Sequence, residues 1–294
     1  MSNVWKERRP SRIKVLHTYA KRGIRWRRNS TPYLSGDLFS DESDVSLYTP
    51  KFRGKPANLA AVREARVLFC PSDKLQEFLD EFHKQISARV IICGNSDYEF
   101  RNLPSNIPRS VRQMFLQNSF ISKHQLVSSL PIGIENLRWG VNGNPKYLTP
   151  GDNWLQRRNE VLIGPFGLTH QLRNEVWNTF LNPVDGIRLI EERLEPDEYA
   201  KISNETRYVA AVRGNGVDTH RLWETLYRGG VPIVTQDDWS DGIEKLGLPL
   251  VEVTSWSSQN LTHILKSERD LSFAPNQIPS LWWPYWKKVI ESYL

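Results

Sequence analysis

The 294-residue chain has little cysteine, little methionine and no long apolar run. Nothing in it approaches the ~18 consecutive apolar residues of a membrane-crossing helix. Hydrophobic residues make up 39% and charged residues 24%, the balance of a water-soluble globular protein. The opening MSNVWKERRPSRIK is charged but has no apolar segment behind it, so it does not read as a secretory signal, and the expected compartment is cytoplasmic. The two cysteines, Cys70 and Cys93, each end an apolar run (RVLFC and RVIIC). They are expected to be buried thiols; a disulfide or a metal site has little support.

Acidic residues are nearly missing from the first 28 positions, which hold ten Lys or Arg and one Glu, a net of +9. The overall +6 therefore leaves −3 for the other 266 residues. The densest part, KRGIRWRR (21–28), embeds a Trp. Such an arm suits nucleic acid, an anionic membrane surface touched peripherally, or a phosphorylated acceptor; it is equally consistent with a solvated arm that binds nothing. The body is not basic, which argues against a dedicated nucleic-acid binder.

What is present is an alternation of short apolar strands with amphipathic helices, the pattern of parallel sheets covered by helices. RIKVLHTY (12–19) reads as a first strand and ARVLFC (65–70) as a buried one. A helix follows, with Leu75, Phe78, Leu79, Phe82 and Ile86 on one face and Ser72 expected as its N-cap. ARVIICGNSD (88–97) is the next strand and loop. Residues 136–158, rich in Asn, Gly and Pro, break the alternation and mark a boundary. It then restarts with a strand and glycine turn at 160–167 and a helix with Thr169 as expected cap and Leu172, Val176, Trp177 and Phe180 as its stripe. Strands at 186–190 and 206–212 follow, then one at 248–253. The expected architecture is α/β, two Rossmann-like domains facing a cleft, over residues 1–150 and 151–294. Trp282, Trp283 and Trp286 are expected to anchor a C-terminal helix that packs back; a lipid-contacting patch is the alternative.

The segment VRGNGVDTHRLWETLYRGGVPIV (212–234) carries the chemistry. An apolar strand runs into Arg213-Gly214-Asn215-Gly216, and a helix opens near Asp218 or Thr219. Helix N-termini offer unpaired N–H groups and partial positive charge, and glycines let a ligand approach the backbone. Arg213 before the loop and Arg221 in the first turn suit bidentate contact with phosphate oxygens. A lone Gly-Asn-Gly is also what an ordinary strand-to-helix turn looks like. Glu224 fits either an i,i+4 ion pair with Arg228 or a carboxylate that accepts from a sugar diol. His220 fits a phosphate contact or plain solvation. Thr169 and Arg173, on the first helix after the boundary, are candidates for the same anion.

RGNGVDTHRLWETLYRGGVPIV resembles the donor-binding signature of exostosin-like glycosyltransferases: an Arg-Gly-x-Gly loop, Thr-x-Arg, a Glu three residues later, and Gly-x-Pro-Val. It is more distantly similar to the fucosyltransferase pattern. EPDEYAKISNETRYV, LPLVEVTSW and, more loosely, GNSD (94–97), FLQNS (115–119) and LPIGIEN (130–136) agree with the first family. The likeness spans residues 90–260, is strong over 196–256, and leaves the first 60 residues unmatched. It implies the two-domain GT-B architecture, a nucleotide-sugar donor held mainly by the second domain, a glycan or lipid-linked glycan acceptor, and no obligatory metal or other cofactor. No Asp-x-Asp motif stands beside a glycine loop, in keeping with the last point; QDDWSD (236–241) reads as a polar loop. Arg213, Gly214, Asn215, Gly216, Asp218, Thr219, His220, Arg221 and Glu224, with Thr169 and Arg173, are the expected donor-binding residues. An inverting transfer needs a base from the first domain at a strand's carboxyl end. Asp97 has that place, with Glu99, Glu135 and His17 as rivals, and an Asx-turn or capping role as its bland alternative. A retaining reaction would not use such a base.

Overall fold

The computed structural model describes residues 30–47, 59–139, 143–267 and 269–294. The basic arm, the strand expected at 12–19 and His17 lie outside the described residues. The chain divides into two units, 1–144 with 282–294, and 145–281. The break falls within the Asn, Gly and Pro-rich stretch, a few residues before 150, and the last thirteen residues join the first unit instead of the second.

The first unit is α/β. Its described elements are α1 (Gly36–Asp41), β1 (Val45–Ser46), α2 (Leu59–Glu64), β2 (Val67–Pro71), α3 (Leu75–Phe82), β3 (Val90–Gly94), β4 (Gln113–Leu116), β5 (Val127–Ser129) and, from the far end of the chain, α9 (Trp283–Glu291). The five strands lie side by side in chain order, every pair parallel. Strand residues point alternately to opposite faces. Leu68, Cys70, Ile91, Cys93, Met114 and Leu116 pack with Leu75, Phe78 and Leu79 of α3. On the other face Phe115 meets Trp286 edge-on at 6.0 Å, and Phe39 of α1 meets Trp283 and Trp286 at 5.6 and 5.8 Å. Trp283 and Trp286 are thus buried core residues of the first unit, while Trp282 is partly exposed against Tyr33.

Cys70 and Cys93 sit opposite each other in the β2–β3 register as buried free thiols, and burial pushes both up in pKa. Two local expectations change. Ser72 does not cap α3: it begins a 3-10 turn, Ser72–Lys74, that runs straight into the helix, and its buried hydroxyl has no partner. The helix also ends at Phe82, not Ile86, with His83 as its C-cap.

The second unit is α/β as well: β6 (Arg158–Ile163), α4 (Gln171–Phe180), β7 (Ile187–Leu189), α5 (Pro196–Asn204), β8 (Thr206–Ala210), α6 (His220–Tyr227), β9 (Val231–Thr235), α7 (Asp238–Glu244), β10 (Val251–Val253) and α8 (Ser258–Lys266). Its parallel sheet has the order β10-β9-β8-β6-β7. The chain steps outward from β6 to β7, returns to lay β8 on the other side of β6, and continues that way. Winding therefore reverses between β6 and β8, and the loops leaving those two carboxyl ends diverge around a crevice, the usual ligand position in open α/β sheets. Within this unit α6 is buried almost all round, from Leu222 to Arg228. The Gly229-Gly230 pair after it makes room for Arg157: a Cβ at either glycine would lie 3.3–3.5 Å from the Arg157 guanidinium. That guanidinium holds the carbonyls of Ser203, Thr206 and Arg228 and so ties the ends of α5 and α6 to the start of β8. No described helix is long and apolar enough to cross a membrane.

Candidate functional site

The signature loop leaves β8 at the reversal point. Ala210, Ala211 and Val212 are buried, and Arg213 turns back on the loop, its Nη2 donating to the Asn215 carbonyl at 3.2 Å. The Gly214 N–H donates to the Gly216 carbonyl at 3.1 Å, so the loop closes on itself and leaves Asn215 exposed at its tip. Asp218 is spoken for by packing, since it accepts from the Trp223 indole N–H at 2.9 Å. Thr219 occupies the N-cap position of α6, yet its side chain makes no capping bond. That hydroxyl is buried and unpartnered, which is rare for a polar group out of water.

Two long side chains lace the crevice. Arg221, in the first turn of α6, donates from Nη1 to the Gly164 carbonyl at 2.6 Å and from Nη2 to the Pro165 carbonyl, both in the loop after β6. Arg173, on α4, reaches the other way, donating from Nε and Nη2 to the Val212 carbonyl just past the end of β8 at 3.2 and 3.1 Å. Its Nη1 reaches the Gly167 carbonyl and the Thr169 hydroxyl at 3.0 and 3.2 Å. Each loop is therefore held by an arginine from the opposite side of the reversal.

These hydrogen-bond partners are all neutral oxygens. Burial first, and then the charge of Arg221, lowers the pKa of Arg173 to about 10. Arg221 uses two of its five N–H donors on carbonyls and stacks over the Tyr199 ring at 4.9 Å. Three of its donors are thus left for a ligand. Gly214 is needed because a Cβ there would lie 2.9 Å from Arg173 Nη2 and 3.2 Å from the Thr169 hydroxyl.

The structure gathers Arg173, Thr169, Gly214, Thr219 and Arg221 around the β6–β8 crevice. Thr169 does not cap α4; His170 does, its Nδ1 accepting from the Leu172 N–H, because the chain becomes helical one residue later than the pattern suggested. Glu224 lies 3.7 Å from Arg228 Nη1, the i,i+4 pair its spacing allowed. His220 is half-exposed in the first turn. Asp237, in the stretch read as a polar loop, begins α7 as its N-cap and accepts from the Trp239 and Ser240 amides. Burial raises its pKa, opposed by those amides and by the charge of Arg213.

Asp97 belongs to the first unit and is exposed on the loop after β3. Glu99 is paired with Arg101 at 2.6 Å, and Glu135 is half-buried. Sequence reasoning passed over a largely buried polar network that begins at Asn95, two residues before Asp97. Asn95 Oδ1 accepts from the Asn136 amide at 2.8 Å, Asn136 Oδ1 accepts from the Asp37 N–H at 2.7 Å, and Arg138 bonds the Asp37 carboxylate. GNSD and LPIGIEN each supply one asparagine, but nothing in their spacing shows that they meet. Tyr199 and the Gly164–Pro165 carbonyls were missed for the same reason. Among the described residues no three His, Cys, Asp or Glu side chains cluster as metal ligands would. Compared with known families and with curated proteins, the sequence matches no family model and no curated protein.

Proposed function

We propose that the protein is a glycosyltransferase that moves a sugar from a nucleotide-sugar to a hydroxyl of a glycan, by inversion and without an obligatory metal, in a GT-B arrangement of its two units. The observation that carries this proposal is the pair Arg173 and Arg221 at the β6–β8 reversal: two guanidiniums whose hydrogen-bond partners are all neutral, beside a helix N-terminus and an unpartnered buried hydroxyl on Thr219. A diphosphate there would relieve the like-charge repulsion and take the spare N–H donors. In the reaction, the same groups would stabilise negative charge as it develops on the leaving diphosphate. Arg221 and Arg173 are already fixed by the carbonyls they hold, so little reorganisation would accompany bond breaking. Asp97 is the proposed base that takes the acceptor proton, an exposed carboxylate on a loop at a strand's carboxyl end.

The test is a thermal-shift and hydrolysis panel over UDP-, GDP-, dTDP- and CMP-sugars. One stabilising donor, its effect lost in Arg221→Gln, is the expected result; no stabilisation by any of them would overturn the assignment. The basic arm supports a second reading, a nucleic-acid or anionic-membrane binder. That reading requires binding with a steep salt dependence that disappears when residues 1–28 are deleted.

A further inference from the structure

The connection between β3 and β4 is unusual. Adjacent parallel strands are normally joined by a helix, yet the eighteen residues 95–112 form no described helix or strand. Ordered connections longer than about 12–15 residues without secondary structure are uncommon and usually functional.

This one is tied down in two places. Near β3, the Asn95 N–H donates to Gln117 Oε1 at 3.1 Å, and the side-chain amides of Gln117 and Asn118 both donate to the Ser96 carbonyl at 3.2 Å. Gln117 and Asn118 are buried. Farther along, the Ser105 N–H donates to Gln76 Oε1 and the Asn106 amide donates to Asp80 Oδ1, both at 2.9 Å and both on α3. Asn95, Asn106 and Asn118 take left-handed backbone angles of 55–57°, which asparagine tolerates better than most residues.

What this scaffold presents is chemically specific. Among the described residues of the first unit, the exposed large apolar side chains are Tyr98 and Leu103, and both are on this connection. Tyr98 is braced edge-on by the buried Phe100 at 5.0 Å and keeps half its surface in solvent. Its sequence neighbour Asp97 is exposed too. An aromatic face carries negative quadrupole charge and attracts positively polarised C–H groups. A carboxylate beside it accepts from hydroxyls. A pyranose ring offers both, a C–H face and a rim of hydroxyls. A protein surface would be met more naturally by a broad apolar patch than by one aromatic next to a carboxylate.

We infer that the 95–106 segment is a carbohydrate-binding platform, with the Tyr98 ring stacking on a neutral sugar residue and Asp97 accepting from its hydroxyls. This deepens the transferase proposal and rests on it in naming the sugar as part of the acceptor.

The direct test is an immobilised glycan array probed with the full chain and with Tyr98→Ala, Tyr98→Phe and Asp97→Asn. The wild type should label a defined set of glycans. Tyr98→Ala should lose about tenfold in affinity, the size expected when an exposed aromatic anchor is truncated, while Tyr98→Phe stays close to wild type. Because Tyr98 is half in solvent, its Ala variant should keep the wild-type melting temperature. A wild type that labels no glycan, or a Tyr98→Ala protein that labels like wild type, would overturn the inference. Nucleotide-sugar stabilisation is read separately on the same proteins and should be unchanged in Tyr98→Ala. Its absence in the wild type would sink the transferase assignment, and the array would still decide the platform.

Discussion

Replacing Arg221 by Gln separates the two things this side chain does. It holds the Gly164 and Pro165 carbonyls through charge-assisted bonds, and it places positive charge beside Arg173. Hydrogen bonds to a charged group contribute about 1.5–3 kcal/mol each. Arg221 is only half-buried, and removing it also relieves the repulsion on Arg173, so a net loss of about 1–3 kcal/mol is expected in urea unfolding. Binding should suffer more. Pyrophosphate at a hundred times its dissociation constant would stabilise the wild type by about 2.7 kcal/mol. Loss of one charge-assisted contact weakens affinity by roughly 10- to 100-fold, which removes about half of that gain or more. Arg221→Lys keeps the charge but cannot fork onto two carbonyls, so it should retain part of the anion effect while losing stability. The assay is urea unfolding with and without pyrophosphate. If Arg221→Gln is stabilised by pyrophosphate as much as wild type, the guanidinium pair is not the anion site.

Gly214→Ala puts a methyl 2.9 Å from Arg173 Nη2; the guanidinium can swing aside at a stability cost of about 1 kcal/mol, but pyrophosphate stabilisation should fall with it, as the same melts would show. Gly164→Ala meets a harder obstacle, a positive φ of 74° with the Ile190 carbonyl 2.6 Å away, and should lose about 2 kcal/mol or more in urea unfolding. Trp286→Ala empties a fully buried site between Phe39 and Phe115 and should cost about 3–5 kcal/mol, read from the same unfolding curves. Asp237 has a folded pKa raised by burial, so the native state binds its proton more readily than the unfolded chain. Its contribution to stability therefore grows as pH falls from neutral through the folded value, and it is lost as pH rises through it. Asp237→Asn keeps the cap, since Asn caps about as well as Asp, and should flatten that part of the melting temperature against pH.

Much of the fold could be read locally. Leu75, Phe78 and Leu79 recur at helical spacing, and all three are buried on one face of α3. RVLFC and RVIIC are continuous apolar runs, and they became central strands covered on both sides. Helix starts were harder to place. Ser72 and Thr169 are good capping residue types, but Ser72 entered a 3-10 turn and the helix after Thr169 began one residue later, with His170 as its cap. A cap depends on the backbone angle of a single residue, which its neighbours in space can override.

Periodicity and glycine placement depend on near neighbours along the chain, and these were enough for α/β class, for the break near residue 150 and for the Arg-Gly-Asn-Gly loop before α6. Strand order, in contrast, is a matter of distant neighbours. Nothing local says that β8 returns to lie against β6, and that return puts the loop at a reversal of the sheet. Arg173 finds its carbonyl 39 residues away and Arg221 finds its own 57 residues away. A long guanidinium on a helix reaches whatever the packed sheet brings near it. The same holds in the first unit, where Trp286 enters the core of a sheet built about 170 residues earlier in the chain. Contacts of that range exist only once the sheets have closed, so the residue types at the site were legible along the chain, while their convergence came from the fold.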